Sequence, residues 1–185
     1  MTDIQILEPE GRAIPFIVEG EGPVPLVLVS ERGEDTLGVV GHYLAEEAGF
    51  HIIRIGYRKG DLSIADRASD VVAVIDHLGL DHTWIGGHGF GGTVARATVA
   101  AHPERANGLL LLGVEDQDIA LPPVIPVLIV QATEDDVTAL SSAERLQSTA
   151  PERVSIKPVD GAGHLFPLTH VMDTAVIIEE YLDWD

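Results

Sequence analysis

A glycine-dense stretch between residues 84 and 103 carries the clearest chemical signal in this sequence. Within it, Gly87-His-Gly-Phe-Gly91 has the spacing of Gly-x-Ser-x-Gly, a motif that exposes a nucleophilic serine on a sharp turn between a strand and a helix. The central position here is Gly89, which offers no attacking atom. Because neither Cys nor Asp fills the position, thiol and aspartate-dependent covalent chemistry are unavailable there as well.

The elements around this turn alternate between strands and helices. We predict strands at 4–7, 14–19, 25–30, 51–55, 84–88, 108–112, 127–130 and 154–157, and helices at 37–48, 66–78, 90–102, 141–149 and 166–181. Such alternation indicates an α/β fold with a mainly parallel sheet and right-handed crossovers. The first two strands are joined by a short Pro-Glu-Gly turn, which favours an antiparallel hairpin at one sheet edge.

The order of motifs resembles the α/β-hydrolase family over nearly the whole chain. The turn at 87–91 is the first marker. Residues 127–135 are similar to the strand and loop that carry the family's triad acid, and residues 159–164 resemble the loop of its triad histidine. The resemblance implies an α/β-hydrolase fold with helices on both faces of the sheet, in a single domain spanning residues 1–185.

The resemblance also implies a set of site residues. Asp135 would be the acid, with Glu134 and Asp136 as rivals, and His164 would be the base or a structural histidine. The backbone N–H groups of Phe90 and Arg32 would form the oxyanion hole, whereas His88 would pack beneath the turn as a structural residue.

Two departures from the family pattern bear on activity. The family usually follows its third strand with His-Gly, but this chain has Ser30-Glu31 and then Arg32-Gly33. A carboxylate on Glu31 would disfavour negative charge developing near the Arg32 N–H, unless that side chain points away. Between Leu112 and Pro126 a short loop replaces the helical lid of many relatives, so we expect no cap domain and an open site.

Three functional hypotheses follow from these residues. The chain would lack ester hydrolysis and bind a small ligand in the remnant site, because both Gly89 and Ser30-Glu31 depart from the pattern. Alternatively, it would use the His164–Asp135 pair without a covalent nucleophile, for proton abstraction, lyase chemistry or cofactor-free oxygenation. A third possibility is a serine esterase inactivated by a Ser-to-Gly change placed by design.

Composition narrows the possible partners. The 185 residues carry a formal charge of −19, which argues against nucleic acid and anionic membranes. No Cys is present, so disulfides and thiolate metal sites are excluded. We expect no cofactor and no metal, since no metal-ligand spacing is evident and the glycine-rich turn lacks the Lys-Ser/Thr of a phosphate-binding loop. We expect a cytoplasmic protein, and the oligomeric state and salt adaptation stay open.

Overall fold

The computed structural model describes residues 3–183, and its centre is one eight-stranded sheet. The strands are β1 Gln5–Leu7, β2 Ile14–Glu19, β3 Pro25–Val29, β4 His51–Ile55, β5 Thr83–His88, β6 Ala106–Leu112, β7 Val127–Ala132 and β8 Val154–Val159. Their spatial order is β1-β2-β4-β3-β5-β6-β7-β8. β2 runs antiparallel to β1 and β4, and every pairing from β4 to β8 is parallel. The predicted sheet with an antiparallel N-terminal edge is therefore confirmed.

Helices cover both faces of this sheet. They are α1 Gly38–Glu46, α2 Ile64–His77, α3 Phe90–Ala101, α4 Leu140–Thr149, α5 Phe166–Thr169 and α6 Val171–Leu182. Because side chains alternate along a strand, β3 serves two cores: Val27 and Val29 pack with α2 and α3, whereas Leu26 and Leu28 pack with α1 and α6. None of the helices described between residues 3 and 183 is long and apolar enough to cross a bilayer.

Two of the differences between predicted and observed helices have a clear local cause. α2 begins at Ile64 because Ser63 and Asp66 form a capping box, each side chain accepting a hydrogen bond from the other residue's backbone N–H. The predicted C-terminal helix is divided in two, since His170 has φ −130° and ψ 55° and separates α5 from α6. The strands that build the site also run further than predicted, since β7 ends at Ala132 and β8 at Val159, each two residues beyond the predicted end.

The segment between β6 and β7 is a loop that contains no helix, and two arginines bind its carbonyl groups. The guanidinium of Arg96, on α3, is buried and donates to the carbonyl oxygens of Glu115, Gln117 and Ile119. Arg153 anchors the end of the segment through two further carbonyls. The predicted absence of a cap domain is therefore confirmed, and the carboxyl edge of the sheet has no covering layer of its own.

Candidate functional site

The turn between β5 and α3 forms because glycines allow unusually close backbone contact. Gly89 has φ 56° and ψ −115°, a conformation that side-chain-bearing residues rarely adopt. At Gly91 a Cβ atom would lie well under 3.0 Å from the carbonyl oxygen of Val29, so only glycine lets α3 begin this close to β3. The consequence is a Phe90 N–H that lies at the carboxyl edge of the sheet and bonds outside the helix.

The Glu31 carboxylate points into this turn. Its Oε1 atom accepts hydrogen bonds from the N–H groups of Phe90 and Arg32, both at 3.0 Å. Its Oε2 atom lies 2.9 Å from Nε2 of His164. The Glu31 side chain is only 15% exposed. The two N–H groups predicted to form an oxyanion hole thus converge on one oxygen, and that oxygen belongs to the protein itself.

His164 faces Asp135 on its other side. Nδ1 of His164 lies 3.0 Å from Oδ2 of Asp135, which also accepts the Thr138 hydroxyl at 2.6 Å. Oδ1 of Asp135 accepts the N–H groups of Val137 and Thr138. Asp135 is buried and its two acidic neighbours in the sequence are exposed. Of the three candidate acids, Asp135 is therefore the one that contacts the histidine.

The two carboxylates hold His164 in its charged form. The hydrogen bond to Asp135, followed by that to Glu31, raises the pKa of His164 to about 9 against the opposing effect of burial. Burial raises the pKa of Asp135, but hydrogen bonds from His164 and Thr138 outweigh it and lower the value to about 2. The pKa of Glu31 is likewise lowered, because its hydrogen bonds outweigh its desolvation. At neutral pH the site is thus an imidazolium between two carboxylates.

His88 supports this arrangement from below. Its ring is fully buried and stacks on that of His164 with centroids 4.5 Å apart. Nε2 of His88 lies 2.8 Å from the carbonyl oxygen of His164, and Nδ1 lies 2.7 Å from the hydroxyl of Thr36. Burial, and then the charge on His164, lower the pKa of His88 to about 4. His88 is therefore neutral at pH 7, donates from Nε2, and packs beneath the turn as the sequence predicted.

Glu31, His88 and His164 place ligand atoms within 4.8 Å of one another, close enough to suggest a metal centre. The donor set does not fit one. Both ring nitrogens of His88 are already used by Thr36 and the His164 backbone. A cation would also have to displace the proton that His164 shares with Glu31. These three residues are better described as a hydrogen-bonded cluster.

The loops that carry Asp135 and His164 also hold exposed apolar side chains. Leu165 follows His164 directly and is 43% exposed, and Val137, two residues after Asp135, is 65% exposed. Leu140 and Leu168 are exposed on the helices that follow these loops. A separate cavity of about 300 Å³ is lined by Ser30 and other residues flanking Glu31. Glu31, Asp135 and His164 do not line it.

Three contributions to the site were not recognised from the sequence. The sequence marks Glu31 as an unfavourable neighbour of the Arg32 N–H, whereas its carboxylate accepts a hydrogen bond from that N–H. The Thr138 hydroxyl donates to Asp135, the partner of His164, and the Thr36 hydroxyl donates to Nδ1 of His88. A threonine three residues after the acid was a usable signal for Thr138, because that spacing lets its N–H and hydroxyl both reach the carboxylate. Nothing in the sequence indicated Thr36.

The strand order, the sharp β5–α3 turn and the acid and histidine loops after β7 and β8 together define an α/β-hydrolase. The family model described as "Alpha/beta hydrolase family" matches residues 40–166. The chain therefore belongs to the α/β-hydrolase family. A search of the curated proteins finds no match.

Solved structures of the same fold are similar along their full lengths. A predicted CIB-like hydrolase from Thermoplasma acidophilum is 14% identical, with 98% of each chain covered and a TM-score of 0.80. A thermophilic esterase from Thermogutta terrifontis is 17% identical, with 99% of this chain and 98% of that chain covered and a TM-score of 0.80. Est816, described as an N-acyl homoserine lactone degrading enzyme, is 19% identical, with coverages of 96% and 100% and a TM-score of 0.82. At these identities the likeness shows the fold alone.

Proposed function

We propose that this chain does not hydrolyse esters through a seryl acyl-enzyme and that it binds a small uncharged ligand at the carboxyl edge of the sheet. Gly89 stands in the nucleophile position and supplies no hydroxyl. The observation that carries the proposal is the Glu31 carboxylate, which accepts both oxyanion-hole N–H groups and the His164 N–H. In an esterase those donors must be free for the substrate.

The position of Glu31 disfavours acyl transfer in two ways. An oxyanion hole lowers the barrier by stabilising charge that develops on the substrate, and removing one donor costs about 10²–10³ in rate. Here both donors, Phe90 and Arg32, are occupied by a full negative charge. In addition, His164 with a pKa of about 9 is protonated at pH 7 and cannot accept a proton from a nucleophile.

Charge favours an uncharged ligand. The site has two carboxylates and one imidazolium, and the whole chain carries a formal charge of −19, so an anion is repelled at short and long range. Exposed Val137 and Leu165, in the loops of Asp135 and His164, offer apolar contact instead. A neutral, partly apolar molecule suits both features.

The test is an esterase assay with p-nitrophenyl acetate and butyrate. We expect no turnover above that of the His164→Ala variant, and no labelling by a fluorophosphonate probe. Turnover that His164→Ala abolishes would refute the proposal. The Glu34→Gln variant is a control, because Glu34 is an exposed carboxylate in the same loop as Glu31. Its turnover should equal that of the wild type.

A second candidate function is acid–base catalysis by the His164–Asp135 pair without a covalent nucleophile. The pair keeps its 3.0 Å hydrogen bond and the imidazole faces Asp135, which supports this reading. The protonated His164 would act first as an acid, for example in a lyase reaction. Proton exchange at a substrate carbon, measured in deuterated water and lost in His164→Gln, would distinguish this function from binding alone.

The hypothesis of an esterase inactivated by design has less support. A Cβ atom on residue 89 would lie well under 3.0 Å from Oε2 of Glu31, so a serine there requires the flexible end of the Glu31 side chain to shift. A single reversed substitution would therefore place the new hydroxyl beside a displaced carboxylate. This steric conflict favours the view that Gly89 and Glu31 belong together.

A further inference from the structure

We propose that a neutral molecule with an aromatic or alkyl body and one hydrogen-bond-accepting oxygen binds in the cavity of about 300 Å³ between the loops that follow β3 and β4. The inference rests on the proposed function, in which the ligand is small and uncharged and binds at the carboxyl edge of the sheet. It narrows that function to one cavity, which is separate from the hydrogen-bonded cluster of Glu31, His88 and His164.

The cavity lies where the connections of neighbouring strands diverge. The loop after β3 leads to α1 on one face of the sheet, whereas the loops after β4 and β5, the two neighbours of β3, lead to α2 and α3 on the opposite face. In open α/β sheets, ligands bind in the crevices that such diverging connections leave at the carboxyl ends of the strands. β3 therefore borders two crevices, one shared with β5 and one shared with β4.

The protein itself fills the crevice between β3 and β5. The Glu31 carboxylate accepts both oxyanion-hole N–H groups and contacts Nε2 of His164, so a polar ligand would find these donors already bonded. The crevice between β3 and β4 instead holds the cavity, which is lined by Ser30, just after β3, and by Ile55, the last residue of β4. Its volume is at the lower end of the range of small-molecule sites.

The walls of the cavity are mainly apolar. Phe16, Leu28 and Leu37 line it and are almost fully buried. Ile4 also lines it and is 65% exposed. A surface that joins an exposed isoleucine to buried aromatic and aliphatic side chains suits a ligand with an aromatic or alkyl body.

The charged groups that line the cavity balance one another. Arg54 and Lys59 are its cations, and Glu34 and Asp35 are its carboxylates. Arg54 donates to both carboxylate oxygens of Asp35 at 3.1 Å, so these two side chains satisfy each other. Because the lining has no net charge and the chain carries a formal charge of −19, an anionic ligand is repelled without local compensation.

Lys59 supplies a donor for the ligand's oxygen atom. None of the ion pairs formed within residues 3–183 includes Lys59. An ammonium group only donates hydrogen bonds, so it binds a carbonyl or ether oxygen and repels a cation. Lys157, the other lysine of the chain, is on β8 and does not line the cavity.

The test compares three probes of similar size that share a benzene ring. Acetophenone is neutral and has one carbonyl oxygen, benzoate is an anion and benzylammonium is a cation. Each probe is titrated into the ¹⁵N-labelled full chain, and the backbone amide signals are followed by NMR. We expect acetophenone to bind with a Kd on the order of 1 mM. Benzoate and benzylammonium should bind at least about 10-fold more weakly, because burying an unpaired charge is costly.

The same titration locates the probe. Acetophenone should shift the amide signals of Gly33 and Gly56, which line the cavity. The signals of Gly161 and Gly163, in the loop that carries His164, should stay in place.

Two variants address the two ends of the ligand. Lys59→Met should weaken acetophenone binding about 3–10-fold, because the carbonyl oxygen loses its donor. Lys157→Met is its matched control and should bind like the wild type. Ile17→Trp fills the cavity, which Ile17 lines, and should weaken binding at least about 10-fold. Ile6→Trp is its control, because Ile6 is an exposed isoleucine on β1 that does not line the cavity. Urea denaturation checks that each variant is folded.

Four results would overturn the proposal. They are no saturable shift with acetophenone, shifts at Gly161 and Gly163 without shifts at Gly33 and Gly56, binding of benzoate as tight as that of acetophenone, and equal binding by Lys59→Met and Lys157→Met. A probe that binds beside His164 would leave the proposed function standing and refute only this inference. Ester turnover that His164→Ala abolishes would refute the proposed function and is measured independently of these titrations.

Discussion

Placing a serine at residue 89 tests how far the sharp turn and the Glu31 carboxylate depend on each other. We expect the single variant Gly89→Ser to be destabilised and inactive toward esters. We expect the double variant Gly89→Ser/Glu31→Ala to gain ester hydrolysis. Comparing the two variants shows whether ester hydrolysis is absent because residue 89 has no hydroxyl or because Glu31 blocks the site.

The magnitudes follow from the geometry of the turn. A side chain at φ 56° and ψ −115° costs about 1–3 kcal/mol in backbone strain. The new Cβ also falls on Oε2 of Glu31, so this oxygen must move away from His164, while Oε1 can still accept from the Phe90 and Arg32 N–H groups. Hydrogen bonds to a charged group contribute about 1.5–3 kcal/mol each. Since the displaced oxygen regains water, we expect the single variant to lose about 2–5 kcal/mol of unfolding free energy, and the double variant to lose less than the sum of the two single changes.

Urea denaturation and p-nitrophenyl butyrate turnover provide the measurements. Without Glu31 the oxyanion hole is free and His164 loses one of the two carboxylates that raise its pKa, so the double variant should hydrolyse the ester about 10²-fold faster than the single variant or more. Glu31→Ala alone is the control: it should lose stability, because the Phe90 and Arg32 N–H groups and His164 lose their acceptor, and it should show no turnover, because residue 89 still has no hydroxyl. Equal activity in the single and double variants would refute the reasoning, because it would mean that Glu31 does not fill the hole.

Three further predictions concern charge and packing. The pKa of His164 is raised from 6.5 to about 9, so its protonation should contribute at most about 3 kcal/mol to the free energy of unfolding. This contribution should be present below pH 6.5 and lost as pH rises to 9. Urea titrations of the wild type and His164→Gln across this pH range measure the difference. Glu31→Gln should lower the pKa of His164 in an NMR titration, with Glu34→Gln unchanged, and an unaltered titration would place Glu31 outside contact with the imidazole. Arg96→Met should cost about 2–4 kcal/mol in thermal or urea unfolding, because three carbonyls lose their donor. Arg145→Met, at an exposed ion pair with Asp116, should cost under about 1 kcal/mol.

The sheet was predictable because its strands are unusually apolar and well separated. β7 is buried at every position and β4 has its predicted bounds, which reflects the continuous apolar runs that parallel strands require. The prediction erred where local hydrogen bonds or backbone angles decide. The capping box at Ser63 starts α2 two residues early, and the non-helical His170 divides the last helix. Neither effect changes the hydrophobic periodicity from which helices are predicted.

The site was predictable in its loops and not in its contacts. Glycine spacing located the turn at Gly89, and the loop patterns located Asp135 and His164. The rotamer of Glu31 could not be read from the sequence, because an exposed loop carboxylate normally faces water. What turns it inward is a local set of donors: two backbone N–H groups that converge only once the turn has formed, and a histidine from the far end of the chain.

The contact between Gly89 and Glu31 links two positions at which this chain departs from the family pattern. A Cβ atom on residue 89 would lie well under 3.0 Å from the present position of Oε2, and without Glu31 the Phe90 N–H and His164 would lose this acceptor. Each residue therefore favours the other. The Glu31→Ala and Gly89→Ser single variants should accordingly show a coupling free energy in a double-mutant cycle, with the double variant more stable than the sum of the single changes predicts. Additive changes would instead mean that the two residues are independent neighbours.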